Sequence, residues 1–151
     1  MFSRLVSTLF CALALTARAT DAPLSRYERV DIDPTKTSIF IGTVSMTMPT
    51  FTRQNGGYES TYAAKVFPYF FSNEKGRLTI ELSDEMLRQL ARGEPVEFKG
   101  LGVRSDGAER RVEGKATPAD ATSGKIKVRV FVSKRIELIF NTAYRFPPAK
   151  P

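Results

Sequence analysis

The sequence predicts a mainly β fold, a small antiparallel barrel or sandwich with one short helix near 84–92. Three observations lead there. Short stretches between Thr37 and Phe146 alternate apolar and polar residues, the period of a half-buried strand. Tight-turn signals, Asn55-Gly56-Gly57 and Ser105-Asp106-Gly107 among them, separate those stretches. One segment after Leu82 changes to a helical pattern with a marked start and stop. Three strands, a helix and about four more strands is also the order of an OB-type barrel, one arrangement the pattern allows.

Along the chain, residues 20–36 are polar, carry Pro23 and Pro34, and read as an extended lead-in or linker. From Thr37, Phe40, Gly42, Val44, Met46 and Met48 share one face of a single strand, which Pro49 ends or bends. Asn55-Gly56 turns the chain into a return strand through Tyr58, Tyr62, Ala64 and Val66. The run Val66 to Phe71 is apolar on both faces, and Ser72–Gly76 is a turn. Leu78, Ile80 and Leu82 then face inward together.

The helix follows. Ser83 is its N-cap, Asp84 and Glu85 suit the positive end of its dipole, and Leu82 and Leu87 occupy staple positions. Gly93 and Pro95 stop it. Val96 and Phe98 resume the β pattern, and Gly100-Leu101-Gly102 suggests a bulge or bend. A hairpin at Ser105–Gly107 returns through Glu109 to Lys115, and 116–124 is a loop. Ile126, Val128, Val130 and Val132 form the clearest strand, and Ile136, Leu138 and Phe140 begin one that extends toward Phe146. The domain therefore spans 37–146, and 147–151 is an irregular, proline-rich tail.

Ahead of it, Arg4, the apolar run Leu5–Leu15 and Thr16-Ala17-Arg18-Ala19 have the three parts of a signal peptide, with cleavage expected after Ala19. The run is too short to span a bilayer, which takes about 20 apolar residues. Residues 1–19 are thus an expected leader, and the localisation is export, periplasmic or secreted. No membrane span is expected after cleavage. The only cysteine, Cys11, leaves with the leader, and so do Arg4 and Arg18, lowering the net charge from +7 to +5. That moderate basic excess favours anionic partners.

With no histidine in the chain, Ser-His and Cys-His nucleophiles and His-containing zinc sites are excluded. No Walker loop or Gly-x-Gly-x-x-Gly follows a strand. Ser72-Asn73-Glu74-Lys75 matches Ser-x-x-Lys but lies in a turn. Asp31-Ile32-Asp33 begins like a calcium loop and lacks its downstream ligands. Glu81, Asp84, Glu85, Glu94 and Glu97 around the helix are the material for a carboxylate-dependent hydrolase, the third-ranked function. No catalytic residue, metal ligand or cofactor is expected.

Two binding surfaces stand out. Lys125, Lys127, Arg129 and Phe131 alternate onto one strand face, with Arg110 and Arg111 extending the strip if their hairpin lies alongside. Basic side chains with an aromatic suit single-stranded nucleic acid or an anionic glycan. Tyr58, Tyr62 and Tyr69 belong to an aromatic set that includes Phe67, Phe70 and Phe71, which serves stacking if exposed and the core if covered. The expected function is an exported, non-enzymatic binding or accessory module acting on an anionic polymer or a protein partner through the basic face. The alternative is a structural or assembly protein of the cell envelope.

Overall fold

A computed structural model describes residues 24–149. The expected leader, its cleavage site and Cys11 lie outside these residues. The order is a 3-10 helix Leu24–Tyr27, β1 Arg29–Ile32, β2 Thr35–Ile39, β3 Gly42–Thr47, β4 Phe51–Gln54, β5 Gly57–Phe67, a 3-10 turn Phe70–Ser72, β6 Glu74–Glu81, α1 Asp84–Ala91, β7 Val96–Arg104, β8 Glu109–Pro118, β9 Ser123–Phe131 and β10 Glu137–Arg145.

Alternation makes each strand two-faced, and two-faced strands bury their apolar side together only by stacking or by curling. Here they curl. β1 and β2 run end to end as one stave, β3 and β4 as a second, and with β5 to β10 they form a closed antiparallel barrel of eight staves. Every neighbour follows in sequence, and β1 pairs with β10 through Asp31↔Arg145 and Ile32↔Tyr144 to close the ring. The barrel is therefore an eight-staved meander and not the five-stranded OB arrangement.

Two local features produce that difference. The stretch read as one strand from Thr37 to Met48 folds back at Phe40-Ile41, so β2 pairs with β3. Within the stretch 20–36, read as a lead-in, the described residues 24–36 supply β1 and the start of β2, with Tyr27 and Val30 buried. Pro34 and Pro49 interrupt the first two staves at matching levels. The register of the second stave on β5 slips by one residue between Thr47↔Ala63 and Thr52↔Glu59, as a bulge requires. The inward face accordingly changes from Val44, Met46 and Met48 to Phe51.

The turn and helix chemistry is as expected from the residues. Asn55 and Gly56 both have positive φ (47° and 75°) and join β4 to β5. Ser83 Oγ accepts from Met86 N (3.3 Å). At the other end of α1, Gly93 N donates to Leu90 O (3.0 Å) and Glu94 N to Gln89 O (2.9 Å), the paired bonds of a Schellman stop. Gly100-Leu101-Gly102, however, contains no bulge. β7 keeps unbroken register with β6 and β8 through these residues, and both glycines face inward for a reason given below.

The barrel ends are unlike. At the base, α1 lies against β7, β8 and the first 3-10 helix, and Leu82, Leu87 and Leu90 are buried there. Tyr27, Tyr58, Tyr144 and Phe146 form an aromatic plug, with the Tyr27 and Phe146 rings 4.7 Å apart and edge-on. Tyr58 Oη donates to Tyr27 O (2.5 Å) and Tyr27 Oη to Ala121 O (3.2 Å), tying the plug to the loop after β8. The opposite end, the mouth, carries the connections β2–β3, β5–β6, β7–β8 and β9–β10.

Because Leu87 is fully buried under a helix of only eight residues, α1 depends on that contact more than on its own propensity. Leu87→Ala is expected to lower the unfolding free energy by about 3 kcal/mol, and Ser83→Ala by about 1 kcal/mol. Urea denaturation followed by circular dichroism measures both.

Candidate ligand-binding lumen

The inward positions of the barrel wall contain unusually small residues. Gly76, Gly100, Gly102 and Gly114 face in on β6, β7 and β8, and Ala64 and Ala116 face in on β5 and β8. Larger neighbours lie across these gaps. A β-carbon on Gly114 would strike the Phe98 ring, one on Gly76 would come within 2.8 Å of Tyr62 Cε1, and one on Gly100 within 2.6 Å of Ile80 Cδ1. The rings are laid along the wall and do not fill the axis.

A cavity of about 400 Å³ is left down the axis, lined almost wholly by apolar side chains such as Met46, Val66, Leu78, Val112, Val130 and Leu138. This lies within the usual size range of small-molecule sites, about 300–1,000 Å³. Phe51, Tyr58, Leu90 and Phe146 line its base, and all four are buried. Toward the mouth it reaches Ile41, Tyr69, Ser72 and Ile136, of which Ile41 and Ile136 are exposed at 59% and 52%. The cavity is closed below and open above.

One polar cluster interrupts the apolar lining, near the mouth. Tyr62 Oη donates to Glu74 Oε1 (2.5 Å), and Arg110 Nη2 donates to Glu74 Oε2 (3.3 Å). Arg104 Nε stands 3.6 Å from the same oxygen and its Nη2 3.2 Å from Asp106. Arg110 Nε is shut off from solvent and has no acceptor among the described residues. Burial first, then the bond to the Glu74 carboxylate, pushes the Tyr62 phenol well above its ordinary value, with Arg110 and Arg104 opposing. Burial likewise raises Tyr58, against Arg53, and lifts Tyr144 to about 12.

The residues singled out from sequence divide between the two sides of the wall. Lys125, Lys127, Arg129 and Phe131 do share the outer face of β9, and Arg111 sits beside them in register with Phe131, its guanidinium 4.1 Å from the ring centre. Arg110 does not extend this strip. Successive strand residues point to opposite faces, so Arg110 enters the lumen. The strip is also crossed by carboxylates. Arg129 pairs with Glu137 (2.9 Å), Glu113 lies opposite Arg129 and Lys99, and Glu97 lies opposite Lys115.

The aromatic set divides too. Tyr58 and Tyr62 are buried and are not a surface platform; Tyr69 is half-buried at the mouth, and Phe67, Phe70 and Phe71 are exposed. Glu74 and Arg104 were not singled out from sequence. Their signal is phase: Glu74 is in step with Leu78 and Ile80, and Arg104 with Phe98 and Val96.

Several of the remaining candidates have ordinary partners. Asp84 binds Arg53 (2.6 Å), and Glu85 and Glu94 both meet Arg92 at 3.3 Å on the exposed helix surface. Asp31 accepts from Thr50 Oγ1 (2.6 Å). Lys75 points outward from β6, on the opposite face from Glu74. Among the described residues, no helix is long and apolar enough to cross a membrane, and no group of three or more acidic side chains gathers to hold a metal. Comparison with protein-family models, curated proteins and solved structures returns no match.

The raised tyrosines give a pH dependence with a definite sign. An unfolded phenol loses its proton near pH 10, while the folded Tyr144 holds it to about 12. The folded state therefore binds the proton more tightly, so the stability this group contributes is complete below pH 10 and is lost as pH rises toward 12. Urea unfolding across this window is expected to show a fall that is shallower in Tyr144→Phe.

Proposed function

We propose that this chain is an exported, non-enzymatic binding module that holds a small, mainly apolar molecule inside the barrel, with a hydrogen-bond-accepting head at Arg110. The observation that carries this reading is the apolar lumen, closed at the base and open at the mouth. Glycines at inward positions keep side chains out of the axis, and an apolar cavity surface of this extent favours an apolar ligand. The charged cluster in the lining supports that position for the head. Arg110 and Tyr62 are both held there by Glu74, and a guanidinium lining an apolar cavity is a charged donor for an acceptor on a ligand.

The outer basic strip favours the anionic-polymer reading less strongly. Lys125, Lys127 and Lys115 remain on it, but Arg129 is held by Glu137, and Glu97 and Glu113 break its charge. Assembly through a sheet edge has little to use, since closure leaves unpaired only β2 and the mouth-proximal half of β10.

The test is displacement of a polyene fatty acid probe from the purified chain by a fatty acid, its methyl ester and a plain hydrocarbon. Ala64→Phe, which puts a ring into the lumen, is expected to weaken all of them about tenfold or more, and Arg110→Met to weaken the acid and ester about tenfold while sparing the hydrocarbon. Lys127→Glu with Arg129→Glu is expected to leave every affinity unchanged. Probe binding that ignores Ala64→Phe would sink the lumenal reading, and salt-sensitive polyanion binding lost on the double charge reversal would restore the outer face.

A further inference from the structure

The mouth is bordered by apolar side chains that the fold does not use. Phe40 is fully exposed, Phe71, Phe70 and Phe67 are exposed at 86%, 64% and 62%, and Ile41 and Ile136 at 59% and 52%. All six sit on the connections of one barrel end, β2–β3, β5–β6 and β9–β10. The first two connections touch. A β-carbon on Gly42, next to Ile41, would strike the Phe67 carbonyl and approach Pro68 Cδ at 3.3 Å. Edge-on contacts, Phe67 with Phe70 at 5.9 Å and Tyr69 with Phe71 at 5.7 Å, order the rings without covering them. Exposed large apolar residues grouped in this way mark a contact surface.

The charges at the same end identify the partner. Lys65, Lys75, Lys134 and Arg135 are exposed there, and none has an ion-pair partner within 4.0 Å among the described residues. The acidic side chains at this end are mostly neutralised. Glu74 is held by Arg104 and Arg110, Asp106 by Arg104 and Glu137 by Arg129. Glu109 has no ion-pair partner within 4.0 Å among the described residues. The uncompensated charge around the aromatic residues is thus positive. Aromatic rings favour the headgroup level of a bilayer, and nearby lysines and arginines are drawn to anionic lipid.

We infer that the mouth rim is a docking surface for a lipid bilayer bearing anionic headgroups. The rim seats Phe40, Phe67, Phe70 and Phe71 among the headgroups and sets Lys65, Lys75, Lys134 and Arg135 against lipid phosphates. In that orientation the open end of the lumen faces the acyl region, and the charged outer wall of β7 to β9 stays in water. The docking is independent of what the lumen holds.

Co-sedimentation of the purified chain with vesicles tests it, using phosphatidylcholine alone and an equal mixture with phosphatidylglycerol. Binding to the mixed vesicles is expected, with about tenfold weaker binding to the neutral ones. Phe67→Ser with Phe71→Ser is expected to lower affinity for the mixed vesicles about tenfold or more, with unchanged circular dichroism and unchanged probe affinity in the lumen. Lys134→Glu with Arg135→Glu is expected to remove the preference for anionic vesicles, and binding to the mixture is expected to fall as salt is raised. Absence of sedimentation with either vesicle overturns the inference. So does vesicle binding that both double variants retain, or a rim-dependent dimer in light scattering without vesicle binding.

Discussion

The structure depends on how one eight-staved ring is closed and left unfilled. Closure rests on a short ladder between β1 and β10, two residue pairs long, extended by Asp33 N to Ala143 O (3.0 Å) and by two threonine hydroxyls, Thr35 to Asn141 O (3.1 Å) and Thr142 to Asp33 O (2.8 Å). Above those contacts β2 is an edge that pairs only with β3. The barrel is therefore firmly joined in its lower half and only loosely joined along the seam between β2 and β10. The apolar core follows the same division, packed solid at the base and hollow toward the mouth.

That division explains the placement of the large rings. At the base, Tyr27, Tyr58 and Tyr144 each meet Phe146, Phe51 is buried with them, and α1 adds the buried Leu87 and Leu90. Higher up, Phe98 lies against Gly114 and Tyr62 against Gly76. A ring over a glycine is held by the wall and blocks nothing. The same device gives up packing contacts that a filled lumen would have supplied, so stability is concentrated in the base. The mouth, with its exposed aromatic residues, is the end where the fold loses least by accepting another molecule.

Much of the lower barrel was legible in the residues. Ser83, Asp84, Leu87 and Gly93 specify a helix through local chemistry, and Asn55-Gly56 specifies a turn for the same reason. The legible features involve groups a few residues apart. Non-local features were harder to read. Tyr27 and Val30 sit in a polar stretch with too few apolar neighbours to show a period, and their burial comes from β4, β10 and the loop after β8. Gly100 and Gly102 resemble a bulge in isolation; that Gly100 makes room for Ile80 follows only from the pairing of β7 with β6. Arg110 and Arg111 read as one basic pair, although strand geometry sends them to opposite sides of the wall. Glu74 was hidden by a turn motif while its phase with Leu78 already pointed inward.

The polar cluster at the mouth is the point where stability and use part company. A partly buried ion pair gains little over apolar side chains of similar size, because each charge must first be stripped of water. Glu74, Arg104, Arg110 and Tyr62 would be replaceable by leucines and phenylalanine if the barrel needed only to fold. Instead Tyr62, Glu74 and Arg110 line the upper lumen, with Arg104 beside Glu74. Glu74 fixes the two guanidinium groups and the phenol in one arrangement. Such preorganisation is worth its cost in stability only where something is to be oriented. A closed base, a hollow axis and a polar cluster inside an aromatic mouth are the features on which the proposed binding role rests.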